Sequence, residues 1–368
     1  MAKKKKDKIP NLQKKETPKT TKSKDLTPLP TKTALIYLGL FVVFSFILYF
    51  QCLLYGYVLD DKIVLSENNF VKKGFDGIWS ILSTDSFQGY FGEQLNLLQG
   101  GRYRPLSLVT FAIEHQFFGL NSKISHHLNV LLYGVCGFVS FVTLRRLFQE
   151  KFIDLKTTFY SLAFLSTILF LAHPIHTEAV ANIKGRDELM TFLFSFLALY
   201  AALKYIDLNK IRYLIGVPIF FILGLLSNEN TLTFLAIIPF ALWLFRRRKI
   251  KPILTVSGIL FLTTIFYLFV RFQIFGFVLN ADPSTDIMNN PFYGTTGGER
   301  LATVMYTSML YLKLCIFPHP LTHDYYPYQI PIINWMDIRA IMPAILYAGL
   351  GIIALLGLRK KTILGYGI

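Results

Sequence analysis

The sequence predicts an all-α polytopic membrane protein, and three observations carry that prediction. Hydrophobic residues make up 53% of the 368 and charged residues only 16%, with a mean hydropathy of +0.45; that balance is outside the range of soluble domains. Long apolar runs recur along the chain, several near the roughly 20 residues that a helix needs to cross a hydrocarbon core. Basic residues gather where runs end, at Arg145-Arg146, Arg246-Arg247-Arg248-Lys249 and Arg359-Lys360-Lys361, as the positive-inside tendency requires of cytoplasmic ends. The same distribution argues against a nucleic-acid partner. Of the net charge of +16, residues 1–32 contribute 11 Lys against Asp7, Glu16 and Asp25, and most of the rest marks helix ends.

The elements follow in order. Residues 1–32 carry lysines, prolines and few apolar side chains, so they cannot bury a core and are expected to be a disordered cytoplasmic tail. They lack the cleavage pattern of a signal peptide, so the first span is expected to be retained. Thr33 to Val58 is free of charge and long enough to span. It ends at Leu59-Asp60-Asp61, which puts two adjacent carboxylates on the far side at interface depth. Such acids are candidates for chemistry, or they cap the loop after the helix. A first large outside loop is predicted over 59–124, and within it Pro105 to Leu120 reads as an interfacial helix, too short to cross and interrupted by Glu114-His115.

After His126-His127 an apolar run descends to Arg145-Arg146. Thr157 to Ala172 rises, His173 to Glu188 turns outside, and Leu189 to Lys204 descends. Ile211 to Leu226 rises, Ser227 to Asn230 turns, and Thr231 to Phe245 descends onto the arginine cluster. A span from residue 252 to about 270 rises again. Ile338 to Leu358 also spans, and for Arg359-Lys360-Lys361 to end on the cytoplasmic side, the segment 301–317 must be interfacial or re-entrant. Residues 271–337 then form a second large outside loop. Eight spans result, seven of them within 33–270, and residues 338–368 comprise a further span and what reads as the start of another, as expected of a piece of a longer protein. Cys52, Cys136 and Cys315 stand in apolar surroundings with no ligand spacing and read as packing residues.

The outside loops collect the reactive side chains: paired acids, arginines and histidines, bunched with Tyr, Pro and Gly. Several of these stretches resemble one family. LDD at residues 59–61, GRYRPLSLVTF from Gly101, HHLNVLLY from His126, and HPIHTEAVANIKGRDELM from His173 resemble the transmembrane O-mannosyltransferases that carry tetratricopeptide repeats, within the GT-C superfamily. LGLLSNENTLTF from Leu223 also resembles that family, which usually has Lys where Asn228 stands. The stretch from Asp282 through ERLATVMYTSMLYLKLCIFPHPLTHDYYP resembles the domain that follows in those proteins.

The resemblance implies a GT-C-like helical bundle with two large extracytoplasmic loops carrying interfacial helices. It implies a transferase that moves a sugar, mannose or a related hexose, from a polyprenyl-phosphate donor to a protein or glycan acceptor outside the cytoplasm. An inverting transfer needs a carboxylate base opposite the departing phosphate, for which Asp60 or Asp61 is the candidate. The phosphate needs cations, for which Arg102, Arg104, Lys184 and Arg186 are the candidates. His173, His176, Glu178, Asp187, Glu229, His323 and Asp324 are candidates for the supporting shell or acceptor groove. His173-x-x-His176 with Glu178 could hold a divalent metal, or Pro174 could fix a loop in which the histidines hydrogen-bond; no metal ligand is assigned. Asp187-Glu188 could instead be the acidic start of a helix, and His323-Asp324 could belong to an interfacial belt. Two rivals stand beside the transferase: a lipid-linked sugar transporter, which should show charges inside several spans and internal repetition, and a non-catalytic scaffold for repeats, which would not require Asp60 and Asp61.

Overall fold

A computed structural model describes residues 29–93, 101–150, 158–246, 250–276, 290–322 and 329–360, with positions 287, 325, 362 and 364–367 besides. Among these residues every regular element is helical, and the chain is an all-α, multi-pass membrane protein. The tail through residue 28, the basic residues at 247–249 and the pair His323-Asp324 lie outside the described residues.

Helix α1, Thr31–Tyr49, tightens into a 3₁₀ turn over Phe50–Leu54, and the chain becomes extended at Tyr55. The helix therefore stops short of the predicted Val58, and an extended stretch carries it to Asp60. The first loop holds short helices α2 (Ile78–Ser83) and α3 (Gln88–Phe91), then α4 (Pro105–Phe118). Pro105 opens α4 because the first helical N–H has no partner to lose. Helix α5 (Ser122–Leu147) begins at Asn121, whose side chain accepts the Ile124 N–H, and α6 (Leu162–Ala172) at Ser161, which caps Phe164. Helices α7 (Thr177–Ala181), α8 (Arg186–Leu208), α9 (Ile211–Ser227), α10 (Phe234–Phe245) and α11 (Ile250–Phe275) follow. The last described helices are α12 (Gly297–Ile316), α13 (Ile338–Lys360) and the short α14 (Leu364–Gly367).

Among the described residues, five helical stretches are long and apolar enough to cross a membrane: Thr31–Leu54, Ser122–Leu147, Ile183–Leu208, Ile250–Phe275 and Ile338–Lys360. Leu162–Ala172 reaches that measure only together with Pro174–Ala181, from which it is bent by 54°, and Ile211–Ser227 and Glu229–Phe245 are apolar but shorter. Between apolar helices in lipid, close fit replaces hydrophobic driving force, and the contacts reflect that. Gly134 of α5 lies against α1, where a Cβ would come within 2.6 Å of the Val42 Cα. Tyr37 and Phe41 of α1 pack with Phe141 of α5 and Phe164 of α6. A second core joins α8, α9, α10 and α11 through Ala202, Phe221, Leu242 and Leu260. A third, built from Val64, Leu65, Val71, Ile81, Leu108 and Phe111, folds the first loop onto Ile183. That third core brings the exit of α1 to the start of α8.

Candidate active site

Asp61 is fully buried, and both its carboxylate oxygens are engaged. One accepts the Val58 N–H at 3.0 Å and the other the Lys184 N–H at 2.9 Å. The first bond closes the turn after α1, and the second joins it to the turn before α8. Burial raises the Asp61 carboxyl above its ordinary value, against the lowering effect of those two bonds. Asp60 is half exposed beside it, its carboxylate 3.6 Å from the Lys184 ammonium. Two adjacent acids thus receive opposite environments: one holds the backbone and the other faces outward next to a cation.

The Lys184 turn is fixed from below. Asn182 accepts the Lys184 N–H at 3.2 Å, and Asn129 of α5 donates to the carbonyls of Asn182 and Ile183 at 3.2 and 3.1 Å. Gly185 is required here because a Cβ would collide with the Ala179 carbonyl oxygen. Arg186, only 3% exposed, donates through Nε to Asn129 at 2.8 Å and through Nη2 to the Ser125 carbonyl at 3.2 Å, and its Nη1 forms an ion pair with Glu114 at 2.8 Å. It also lies 4.2 Å from the centre of the Phe111 ring. Glu114 is closed off on its other side by the Ser125 hydroxyl.

Arg104 makes the second buried network. It forms a bidentate pair with Glu229 at 3.0 and 2.7 Å and reaches Asp187 at 2.8 Å. Burial acts to lower its pKa, but the bonds and charges of Glu229 and Asp187 outweigh that and hold it above the ordinary value. Asp187 also accepts the Glu188 N–H at 2.8 Å, and Asn228 donates to Glu188 at 2.7 Å. Arg102 differs: its backbone is held by Asp85 at 3.0 Å, its guanidinium sits 5.0 Å from the Phe87 ring centre, and it forms no salt bridge among the described residues. Burial, with the charge of Arg104 next, lowers its pKa, whereas Glu229, Asp187 and Asp60 act to raise it. A cavity of about 10 Å³ lined by Arg102, Arg104, Lys184 and Asp187 lies among these groups, room for about one water.

Asp60, Asp61, Arg102, Arg104, Lys184, Asp187 and Glu229 therefore converge, with Arg186 packed directly beneath. His173, His176 and Glu178 occupy a separate corner at the α6–α7 bend. His173 accepts the Ile175 N–H through Nδ1, and its Nε2 lies 3.0 Å from the Cys315 carbonyl of α12. His176 Nδ1 lies 3.0 Å from the Tyr133 hydroxyl, and Glu178 is exposed. Among the described residues no three His, Cys, Asp or Glu side chains come together as metal ligands. Participants absent from the sequence-based site include Glu114, Asn129, Asn182, Glu188 and Asn228. Glu188 was legible as the neighbour of Asp187 in a helix's first turn; Asn129 carries no signal of its own.

No protein-family model matches the chain, and no solved structure matches it. Curated relatives do. The chain is 30% identical over 310 residues to the protein O-mannosyl-transferase F38B6.6 of Caenorhabditis elegans, covering 82% of this chain and 41% of that protein. It is 30% identical over 282 residues to human protein O-mannosyl-transferase TMTC2, covering 71% and 32% respectively. Mouse protein O-mannosyl-transferase TMTC3 is 24% identical over 349 residues, covering 86% and 36%. The chain thus spans about two fifths or less of the length of these relatives. Over the residues matched, it belongs to the TMTC-like family of transmembrane O-mannosyltransferases.

Proposed function

We propose that this chain carries the membrane-embedded catalytic part of a GT-C-type glycosyltransferase, which moves mannose or a related hexose from a polyprenyl-phosphate donor to a protein acceptor. The names of the relatives support a mannosyl transfer to protein, and the apolar helices give a lipid-linked donor its solvent. The site lies at the end of the bundle opposite the arginines that close α5, so the positive-inside tendency favours the extracytoplasmic face, with the N-terminus in the cytoplasm.

The observation that carries this reading is the Asp60–Lys184 pair standing 3.6 Å apart on a buried support. In the proposed step the acceptor hydroxyl gives its proton to Asp60 as its oxygen bonds to the anomeric carbon. The bond from that carbon to the phosphate oxygen breaks on the opposite face, inverting the centre. The polyprenyl phosphate leaves with the added charge, which Lys184 and Arg102 balance. Arg104 and Arg186 act through position: their guanidinium groups are already held by carboxylates.

The test is transfer of radiolabelled mannose from polyprenyl-phosphate-mannose by membranes carrying the full-length protein. Asp60→Asn at equal expression is expected to lower transfer by roughly 10²- to 10⁴-fold, the usual contribution of a general base. Unchanged transfer would remove Asp60 from the mechanism, and a scaffold or transporter would show no transfer in either form.

A further inference from the structure

A cavity whose lining is rich in charge lies at the other end of the bundle. It holds about 550 Å³ between the start of α1, the ends of α5 and α8 and the start of α9. Five cations line it: Arg145, Arg146, Lys204, Lys210 and Arg212. Its deeper wall is apolar, with Phe138 and Val142 from α5 and Leu197 from α8.

Among the described residues, the acids near these cations are already engaged. Asp207 is divided between two arginines, Arg146 at 3.0 Å and Arg246 at 2.7 Å. Glu150 caps the next helix, accepting the Leu162 and Ala163 N–H groups at 3.0 and 3.3 Å. Lys204 is steadied by aromatic faces, its ammonium 4.8 Å from the Tyr200 ring centre and 5.0 Å from that of Tyr213. Arg212 lies 4.8 Å from the Tyr213 ring centre and donates to the Tyr213 hydroxyl at 3.0 Å. Arg146 is 9% exposed, and its Nε is buried without a hydrogen-bond partner among the described residues.

Part of this charge serves the fold, since cations at the ends of α5 and α8 oppose the helix dipoles. A dipole effect requires neither a cavity of this size nor two cations from the start of α9. A basic rim above an apolar wall, at the ends of membrane helices, matches a ligand with a phosphate head and hydrocarbon tail.

We propose that this cavity binds the phosphate headgroup of an anionic membrane lipid, with the lipid's hydrocarbon lying along the α5–α8 wall. A soluble phosphate would satisfy the cations but leave the wall uncovered; a zwitterionic lipid would fill the wall but bring its own cation to the basic rim.

The test is native mass spectrometry of the full chain in detergent after incubation with phosphatidic acid, phosphatidylcholine or inorganic phosphate. One phosphatidic acid per chain is expected to survive at detergent conditions that strip phosphatidylcholine, and inorganic phosphate is expected not to displace it. Lys204→Gln with Arg212→Gln is expected to weaken phosphatidic acid binding roughly 30-fold, about 2 kcal/mol at 1.4 kcal/mol per tenfold. The charge-preserving pair Lys204→Arg with Arg212→Lys should restore it, and unfolding temperatures without added lipid should show both variants folded. Equal retention of phosphatidylcholine, displacement by inorganic phosphate, or undiminished binding in the folded glutamine variant would each overturn the proposal.

Discussion

At the scale of single residues, Asp60 and Asp61 are neighbours in sequence with different duties, and substitution separates them. Asp60→Asn changes a half-exposed side chain and should leave the unfolding temperature in detergent within a degree or two, roughly the effect of a surface change under about 0.5 kcal/mol. Asp61→Asn should destabilise by about 1–3 kcal/mol, because its amide must turn a donor toward one of two backbone N–H groups and leave that N–H unsatisfied. Asp61 also makes a pH prediction. Burial sets its folded pKa above the ordinary 3.8, so the folded chain holds this proton more tightly than the unfolded one. Its contribution therefore falls as pH rises from about 3.8 through the folded value. The difference in unfolding temperature between wild type and Asp61→Asn, followed across that window, should shrink as pH rises; a difference that stays flat or widens would contradict the assignment. The sequence exposed both acids as a pair at a span's exit. It could not say which was buried, because the deciding partner is the Lys184 N–H, 123 residues further on.

At the scale of elements, α4, α5 and α8 meet on the Arg186–Glu114 pair, whose side chains are each 4% exposed. Removing one member leaves a buried charge alone, so Arg186→Met should cost about 3–5 kcal/mol, whereas Arg186→Met with Glu114→Leu should recover most of it. Thermal unfolding of the single and double variants checks this; a double variant as unstable as the sum of its singles would refute it. This junction shows where reading by pattern stopped. The helix read over Pro105 to Leu120, which ends at Phe118 in the fold, was legible from its apolar content, and Glu114-His115 looked like an interruption that kept it at the interface. In the fold Glu114 points inward to a guanidinium, because Arg186 arrives from a turn more than seventy residues away. Periodicity reports which face of a helix is polar, but not which distant cation will neutralise it. The α1 exit shows the same limit at shorter range: lack of charge ran to Val58, while helical geometry ended at Leu54.

At the scale of the whole molecule, the two ends of the bundle carry different chemistry: mixed acids and bases around Asp60, and cations around Lys204. The proposed orientation makes a direct prediction for intact cells. With Cys315 replaced by Ser, since it is the exposed member of the three cysteines, a Lys62→Cys variant should react with a membrane-impermeant thiol reagent from outside. Lys210→Cys should react only after the membrane is opened, and the reverse pattern would invert the topology. Membrane class and helix positions were readable because water and lipid impose them on composition locally. The site was readable only as an inventory, since its geometry depends on loops that meet across the chain. Where they meet, one carboxylate fixes the spacing. Asp61 grips the turn that carries Asp60 and the turn that carries Lys184, so the proposed base and its cation are mounted on a common bracket. Changes elsewhere in the outer loops can reshape what approaches the site without altering the gauge between its acid and its cation.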